Sequence, residues 1–198
     1  MASFLITCAI WQHLKPVLPE TLIPTEVNPP IWIAELPQSP LGVIWAAASA
    51  EGMVAVDLWQ DRERFQGLVS RLKIGKQVYE PDRMKAILEQ IAAYLNGPRN
   101  AFDIVVDWSV MSPFQRDVLQ QVIAVPYGRT TTYGEIAGRL GKPGAVRAVG
   151  RANATNPMPI VIPCHRVLGA DGRLHGYSAP DGLETKAWLL SREGSWLI

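Results

Sequence analysis

Cys164, His165 and Arg166 stand side by side, which gives the thiol of this 198-residue chain a base and a cation as immediate chain neighbours. The thiolate is the attacking form of cysteine, so it needs a group to take its proton and a charge to hold the anion. His165 is the candidate for the first role and Arg166 for the second. Taken alone, a cysteine is more often a small buried hydrophobe. The residues before it, Pro159-Ile160-Val161-Ile162-Pro163, read as a buried strand ended by a proline that cannot donate to a ladder, so Cys164 begins a turn. Successive strand side chains face opposite ways, so Cys164 and His165 cooperate only if the chain bends or a water bridges them.

The elements that must position this trio lie on both sides of it. Ser112-Pro113-Phe114-Gln115 combines an N-cap, a proline at the first helical position and a capping-box Gln. Phe114, Val118, Leu119, Val122 and Ile123 then form the core face of the helix. Thr132-Tyr133-Gly134-Glu135 is a second capping box, with Ile136, Ala137 and Leu140 inward. Gly141-Lys142-Pro143-Gly144 breaks that helix, and Ala145 to Ala152 forms another. Two short helices around a Gly/Pro turn make a helix-turn-helix candidate. The second helix offers Ala145, Ala148, Gly150 and Ala152, which have almost nothing to hydrogen-bond base edges in a major groove. Carrying Arg147, it suits close, sequence-tolerant contact in a minor groove.

Pro163-Cys164-His165-Arg166-Val167 resembles the active-site signature of the O6-alkylguanine-DNA alkyltransferases, and the resemblance runs through roughly Phe114 to Gly194, more loosely back to Leu41. It implies a DNA repair protein that transfers the alkyl group of O6-alkylguanine, and of O4-alkylthymine, irreversibly to Cys164. It assigns Arg147 to the place vacated by the rotated nucleotide, and Tyr133 to promoting that rotation and bonding the flipped base. Ala145, Ala148, Gly150 and Arg151 fall on the same DNA-facing helix. Asn156-Pro157-Met158-Pro159 resembles the family's Asn-Pro-x-Pro, where the Asn braces the active-site turn and Pro159 lines the alkyl pocket. Tyr177-Ser178 resembles the loop that contacts guanine, and Glu193 the acid that bonds the histidine. The implied relay is Glu193, His165, a bridging water and Cys164, with Arg166 and Val167 in support. Two departures stand out. Ala179-Pro180-Asp181 replaces the glycines common after Tyr177-Ser178, and Arg151 and Asn153 occupy helix positions where small or apolar residues are frequent, so that DNA contacts there differ.

The O6 substituent of guanine lies inside the stacked duplex, so the base must swing out before a thiol reaches it. The fold therefore has to supply a cavity beside Cys164 that takes a purine. Three other readings compete. A noncatalytic lesion-binding protein lacks the cysteine, a helix-turn-helix regulator carries polar base-reading residues on its second helix, and a cysteine hydrolase turns over an ester or amide.

Composition is that of a globular protein, with 48% hydrophobic and 19% charged residues and a net charge of +1. Between Arg129 and Arg173, seven basic residues face two acidic ones, a patch that suits phosphates. The expected partner is double-stranded DNA containing O6-alkylguanine, bound by a monomer without a membrane. Cys8 and Cys164, with His13, His165 and His175, make no spacing for a structural metal, and neither the zinc of some alkyltransferases nor any cofactor is expected. A disulfide would consume the nucleophile, which points to a reducing compartment. The apolar start, Met1 to Ile10, has no basic leader and is broken at Trp11-Gln12-His13, so a cytoplasmic location with access to DNA is expected.

Seven prolines between Lys15 and Pro40 favour an extended lead-in over residues 1–40. Gly42 to Ala48 and Met53 to Trp59 read as strands around a Gly-containing hairpin, and Met84, Ile87, Leu88, Ile91 and Leu95 as a helix stopped at Gly97-Pro98. The expected fold is thus a small α/β N-terminal domain of sheet plus helix over 41–105, bearing no chemical motif. A mostly α C-terminal domain with the helix-turn-helix follows over 106–198.

Overall fold

The computed structural model describes residues 29–195 except Pro98. The calls on Met1 to Ile10, on Cys8 and on the start of the proline-rich lead-in lie outside the described residues. Its end does not: β1 (Pro30–Leu36) lies inside a four-stranded sheet, between β2 (Ile44–Ser49) and β4 (Lys76–Tyr79), with β3 (Gly52–Asp57) beyond β2. Pro29 and Pro37 flank that strand and Pro30 is its first residue, so none interrupts it, and Ile31 and Ile33 alternate into the core, as a two-residue period requires. The lead-in therefore stops short of residue 40. β2 (Ile44–Ser49) and β3 (Gly52–Asp57) form the expected antiparallel hairpin. β4 (Lys76–Tyr79) joins β1 in parallel.

Helices cover both faces of the sheet. α1 (Arg62–Leu72), N-capped by Asp61, sends Phe65 and Val69 against Ile31, Ile33 and Trp45. α2 (Pro81–Asn96) buries Met84, Leu88, Ile91, Tyr94 and Leu95 on the other face and ends at Gly97. That second face belongs to a core shared with the helical half, because Leu119, Val149, Met158, Ile160 and Leu189 pack in the same cluster. A backbone hydrogen bond from Val56 N to Pro157 O, 2.8 Å, joins β3 to the segment just before the cysteine turn.

The helical half contains α3 (Pro113–Ile123), α4 (Tyr133–Arg139), α5 (Val146–Ala154) and α6 (Leu183–Arg192). Ser112 caps α3, but Gln115 does not complete the box. Its amide donates instead to Thr155 O and Thr155 Oγ1, tying α3 to the end of α5. Val118, Leu119 and Val122 are buried as expected, whereas Ile123 is 42% exposed. At Thr132 and Glu135 both halves of the capping box are present. A 3-10 turn over Pro143–Ala145 separates α4 from α5, so Ala145 precedes the second helix, which begins at Val146. β5 (Thr131–Thr132) pairs in parallel with β6 (Val167–Leu168), and this short clamp brings the start of α4 beside the Cys164 turn.

Thr132→Ala removes the acceptor that Glu135 N bonds at 3.1 Å and is expected to cost about 1 kcal/mol of stability, with Thr132→Ser retaining most of it. Denaturant unfolding of the three proteins checks this.

Candidate active site

Residues 159–162 are not a strand. Asn156 rolls them into a turn: its Nδ2 donates to Ile162 O, 2.9 Å, and its Oδ1 accepts from Met158 N, 3.0 Å, while Ile162 N bonds Met158 O at 2.9 Å. Ile160 takes a φ of 75°, an outlier for a β-branched residue that persists only where its surroundings enforce it. Pro163, at φ −79° and ψ 62°, sits in the inverse γ-turn region, and Cys164 N bonds Ile162 O at 2.7 Å across it. The chain therefore bends where cooperation of Cys164 with His165 demands it, and residues Cys164–Arg166 form one 3-10 turn with all three side chains buried.

Glu193, just past α6, is buried among donors from three parts of the chain. Its Oε1 lies 2.8 Å from His165 Nε2, 2.9 Å from Arg166 Nη2 and 2.5 Å from the Tyr94 hydroxyl. Its Oε2 accepts from Arg166 Nε at 2.9 Å and Gly128 N at 3.2 Å. Gly128 is needed there, since it has a φ of 71° and a Cβ would stand 2.9 Å from Glu193 O. Burial works against the charge, but the hydrogen bonds from His165 and Arg166, and that from Tyr94, hold the Glu193 pKa down at about 2. An ionised carboxylate only accepts, so His165 Nε2 carries a hydrogen and the neutral ring keeps its lone pair on Nδ1. That nitrogen bonds no protein group among the described residues. His165 is 0% exposed, and burial lowers its pKa despite the Glu193 carboxylate. The resting ring is a neutral base.

Arg166 is not the thiol's cation. Its guanidinium is spent on Glu193 and on Val125 O, 2.6 Å. The charge that acts on Cys164 is Lys186, 0% exposed, whose ammonium donates to Val167 O at 2.7 Å and His175 O at 3.0 Å. Burial brings the Lys186 pKa down to about 8, opposed by the thiolate charge of Cys164. Burial likewise pushes the Cys164 thiol up, although the Asn156 side chain, the Lys186 charge and the amides of Cys164 and His165 favour its anion. The sulfur at rest is a protonated thiol, and its anion has to be made by proton transfer.

Cys164 opens on a recess lined by Asn153, Asn156, Pro159, Tyr177 and Ser178. It has about 10 Å³ of space, the size of one water and far below a purine. The Gly176 to Ser178 stretch forms one wall, and Ala179 and Gly182 bond back in tight turns that lead into α6. Tyr177 carries a buried hydroxyl, and Tyr133 at the start of α4 is half-buried; burial and the negative charge of a Cys164 anion raise both phenol pKa values. Asn153 does not face outward from α5. It is buried, its Nδ2 3.3 Å from Cys164 O and its Oδ1 without a partner among the described residues. Arg147, Ala148 and Arg151 lie exposed on the opposite side of α5, with Ala145 and Gly150 half-buried beside them. Val167 is fully buried in the β5–β6 clamp.

Cys164, His165, Arg166, Glu193, Asn156, Pro159, Tyr177 and Ser178 thus converge as expected from the sequence, but Tyr94 and Lys186 do so without having been expected. Each left a trace in the periodicity. Lys186 continues the buried row of α6 with Leu189 and Leu190, and Tyr94 that of α2 with Ile91 and Leu95; a polar tip on an apolar row calls for a buried partner.

Comparison with known proteins agrees across nearly all of the described residues. Residues 33–108 match the ribonuclease-like domain of 6-O-methylguanine DNA methyltransferase, and residues 113–195 match its DNA binding domain. The chain is 37% identical over 166 residues to a methylated-DNA–protein-cysteine methyltransferase of Salmonella typhimurium, covering 81% of this chain and 94% of that one. It is 39% identical over 158 residues to that of Methanosarcina acetivorans, covering 80% and 96%. The structure of the Mycobacterium tuberculosis enzyme in complex with DNA is similar with a TM-score of 0.69 at 33% identity, over 84% of this chain and 93% of that one. With both halves matched in order, this chain belongs to the O6-methylguanine-DNA methyltransferase family.

Proposed function

We propose that the chain repairs DNA by taking the alkyl group of O6-alkylguanine, and of O4-alkylthymine, onto Cys164 in a single irreversible turnover. The observation that carries this reading is the buried Glu193–His165 pair, which leaves the imidazole of the residue next to Cys164 with an unprotonated Nδ1. The thiol proton passes to His165 Nδ1, with a water as the bridge. The Cys164 sulfur then attacks the alkyl carbon in line. A carbon–sulfur bond forms, the carbon–O6 bond breaks, and the departing guanine takes a proton positioned by Tyr133. The cation of Lys186 stabilises the sulfur anion while it exists, and Glu193 stabilises the imidazolium. The product is a thioether, and no group in the recess is placed to hydrolyse it.

The exposed row of α5 enters the minor groove of duplex DNA, where Arg147 fills the space the nucleotide leaves, and the monomer is the acting unit. Small side chains at Ala145, Ala148 and Gly150 permit close approach, and Arg151 adds a phosphate contact. The recess takes a purine only when the Gly176 to Ser178 wall moves outward. Unstacking the base costs on the order of a few kcal/mol, which the inserted Arg147 offsets.

Mixing the protein with duplex containing O6-methylguanine is expected to add the mass of one methylene to the peptide bearing Cys164, read by mass spectrometry. Cys164→Ala should end transfer and keep DNA binding; an unmodified parent protein refutes the reading. Arg147→Ala is expected to slow repair of duplex roughly tenfold or more while leaving reaction with free O6-benzylguanine nearly unchanged, and equal losses contradict an extrahelical role. Lys186 supplies its charge below a pKa of about 8 and loses it as pH rises through that value. Lys186→Met should therefore slow transfer by roughly tenfold at pH 7, one pKa unit of thiolate stabilisation, and by progressively less above pH 8, as a pH–rate series will show.

A further inference from the structure

Among the described residues, Tyr94 is the only side chain of the sheet-and-helix unit that bonds the Glu193–His165 pair. It lies on the inner face of α2, 0% exposed. Its hydroxyl stands 2.5 Å from Glu193 Oε1 and 3.4 Å from His165 Nε2. Its backbone carbonyl accepts from Arg192 Nε at 2.8 Å and from Arg192 Nη2, so both ends of the residue are fastened to the Arg192-Glu193 step at the end of α6. Phe102 and Tyr127 hold the ring, at centroid distances of 5.0 and 6.2 Å.

The hydroxyl has one useful orientation. Glu193 is ionised and Nε2 already carries a hydrogen, so the phenol must donate to Oε1. Doing so draws charge away from the oxygen that holds His165, and sets the positive end of the O–H dipole next to Nε2. Both effects oppose the imidazolium.

We propose that Tyr94 is a positioning residue which, through Glu193, lowers the basicity of His165, so that contact between α2 and α6 governs how readily Cys164 gives up its proton. The proposal deepens the alkyl-transfer reading and rests on it. Other charged or titratable groups also face the pair. Arg166, Arg192 and Tyr127 lie around Glu193 and Tyr94, while Cys164, Tyr177 and Lys186 bear on His165 from the cysteine turn, the recess wall and α6. Tyr94→Phe leaves all of them in place. The Tyr94 proton itself does not titrate in the working range, because burial and the neighbouring Glu193 charge raise its pKa far above it.

The test is the pH–rate profile of Cys164 alkylation by iodoacetamide in full-length protein, followed on the Cys164 peptide by mass spectrometry so that Cys8 does not contribute. In Tyr94→Phe the acid limb, set by protonation of His165, should move to higher pH by about half a unit or more, with alkylation above that limb faster by about threefold. Transfer from O6-methylguanine duplex should move in parallel. Phe102→Leu, which loosens the same packing but keeps the hydroxyl, should lower the melting temperature and leave the profile in place. An unmoved profile in a folded Tyr94→Phe, or an equal movement in Phe102→Leu, overturns the role of Tyr94. Failure of the parent protein to react with the duplex while it reacts with iodoacetamide overturns the alkyl-transfer reading instead.

Discussion

A single carboxylate in a dry place organises this protein. Taking an ion out of water costs several kcal/mol unless it is paired and its remaining lone pairs are satisfied, and Glu193 meets that demand by collecting donors from the cysteine turn, from the Gly128 loop and from α2. The same pairings define the ends of the elements. The Gly128 loop must pass close enough to present its amide, Arg166 must turn away from the sulfur, and α6 must stop where its next residue reaches the shared core. Chemistry and folding are thus coupled at one oxygen pair, since whatever satisfies the anion also orders the histidine.

The residues that act and those that hold them were unequally visible in the chain. Cys164, His165 and Arg166 are contiguous, and both capping boxes are local patterns, so short-range rules found them. Arg166 differs from its expected role, because adjacency to Cys164 in sequence says nothing of the direction its guanidinium takes once Glu193 is beside it. Pro159 to Pro163 looked like a strand for the good reason that it is apolar. Three hydrogen bonds around Asn156 outweighed that pattern. The proline count hid β1, though Ile31 and Ile33 alternate within it. Tyr94 and Lys186 are separated from Cys164 by 70 and 22 positions along the chain, and no local rule spans such distances. Their signal was a polar group on an otherwise apolar helix row, which says that a partner exists without saying which.

The sheet-and-helix unit is also more than a passenger. β3 bonds Pro157, α2 bonds Glu193, and Arg192 reaches back to the Tyr94 carbonyl, so the strained turn at Ile160 is braced from outside the helical half as well as by Asn156. A β-branched residue at positive φ relaxes unless several independent contacts deny it room. Two units that share one core supply those contacts.

Lys186 is buried without a carboxylate among its partners in the described residues; it rests on two carbonyl oxygens. Around the sulfur the interior therefore holds Arg166, Lys186 and Glu193, one positive charge in excess, and only an anionic sulfur can cancel it. A thioether cannot. The fresh protein can ionise its thiol and so give the ammonium an anionic partner; once the sulfur has been capped for good that partner is gone, and Lys186 is left with two carbonyl oxygens alone.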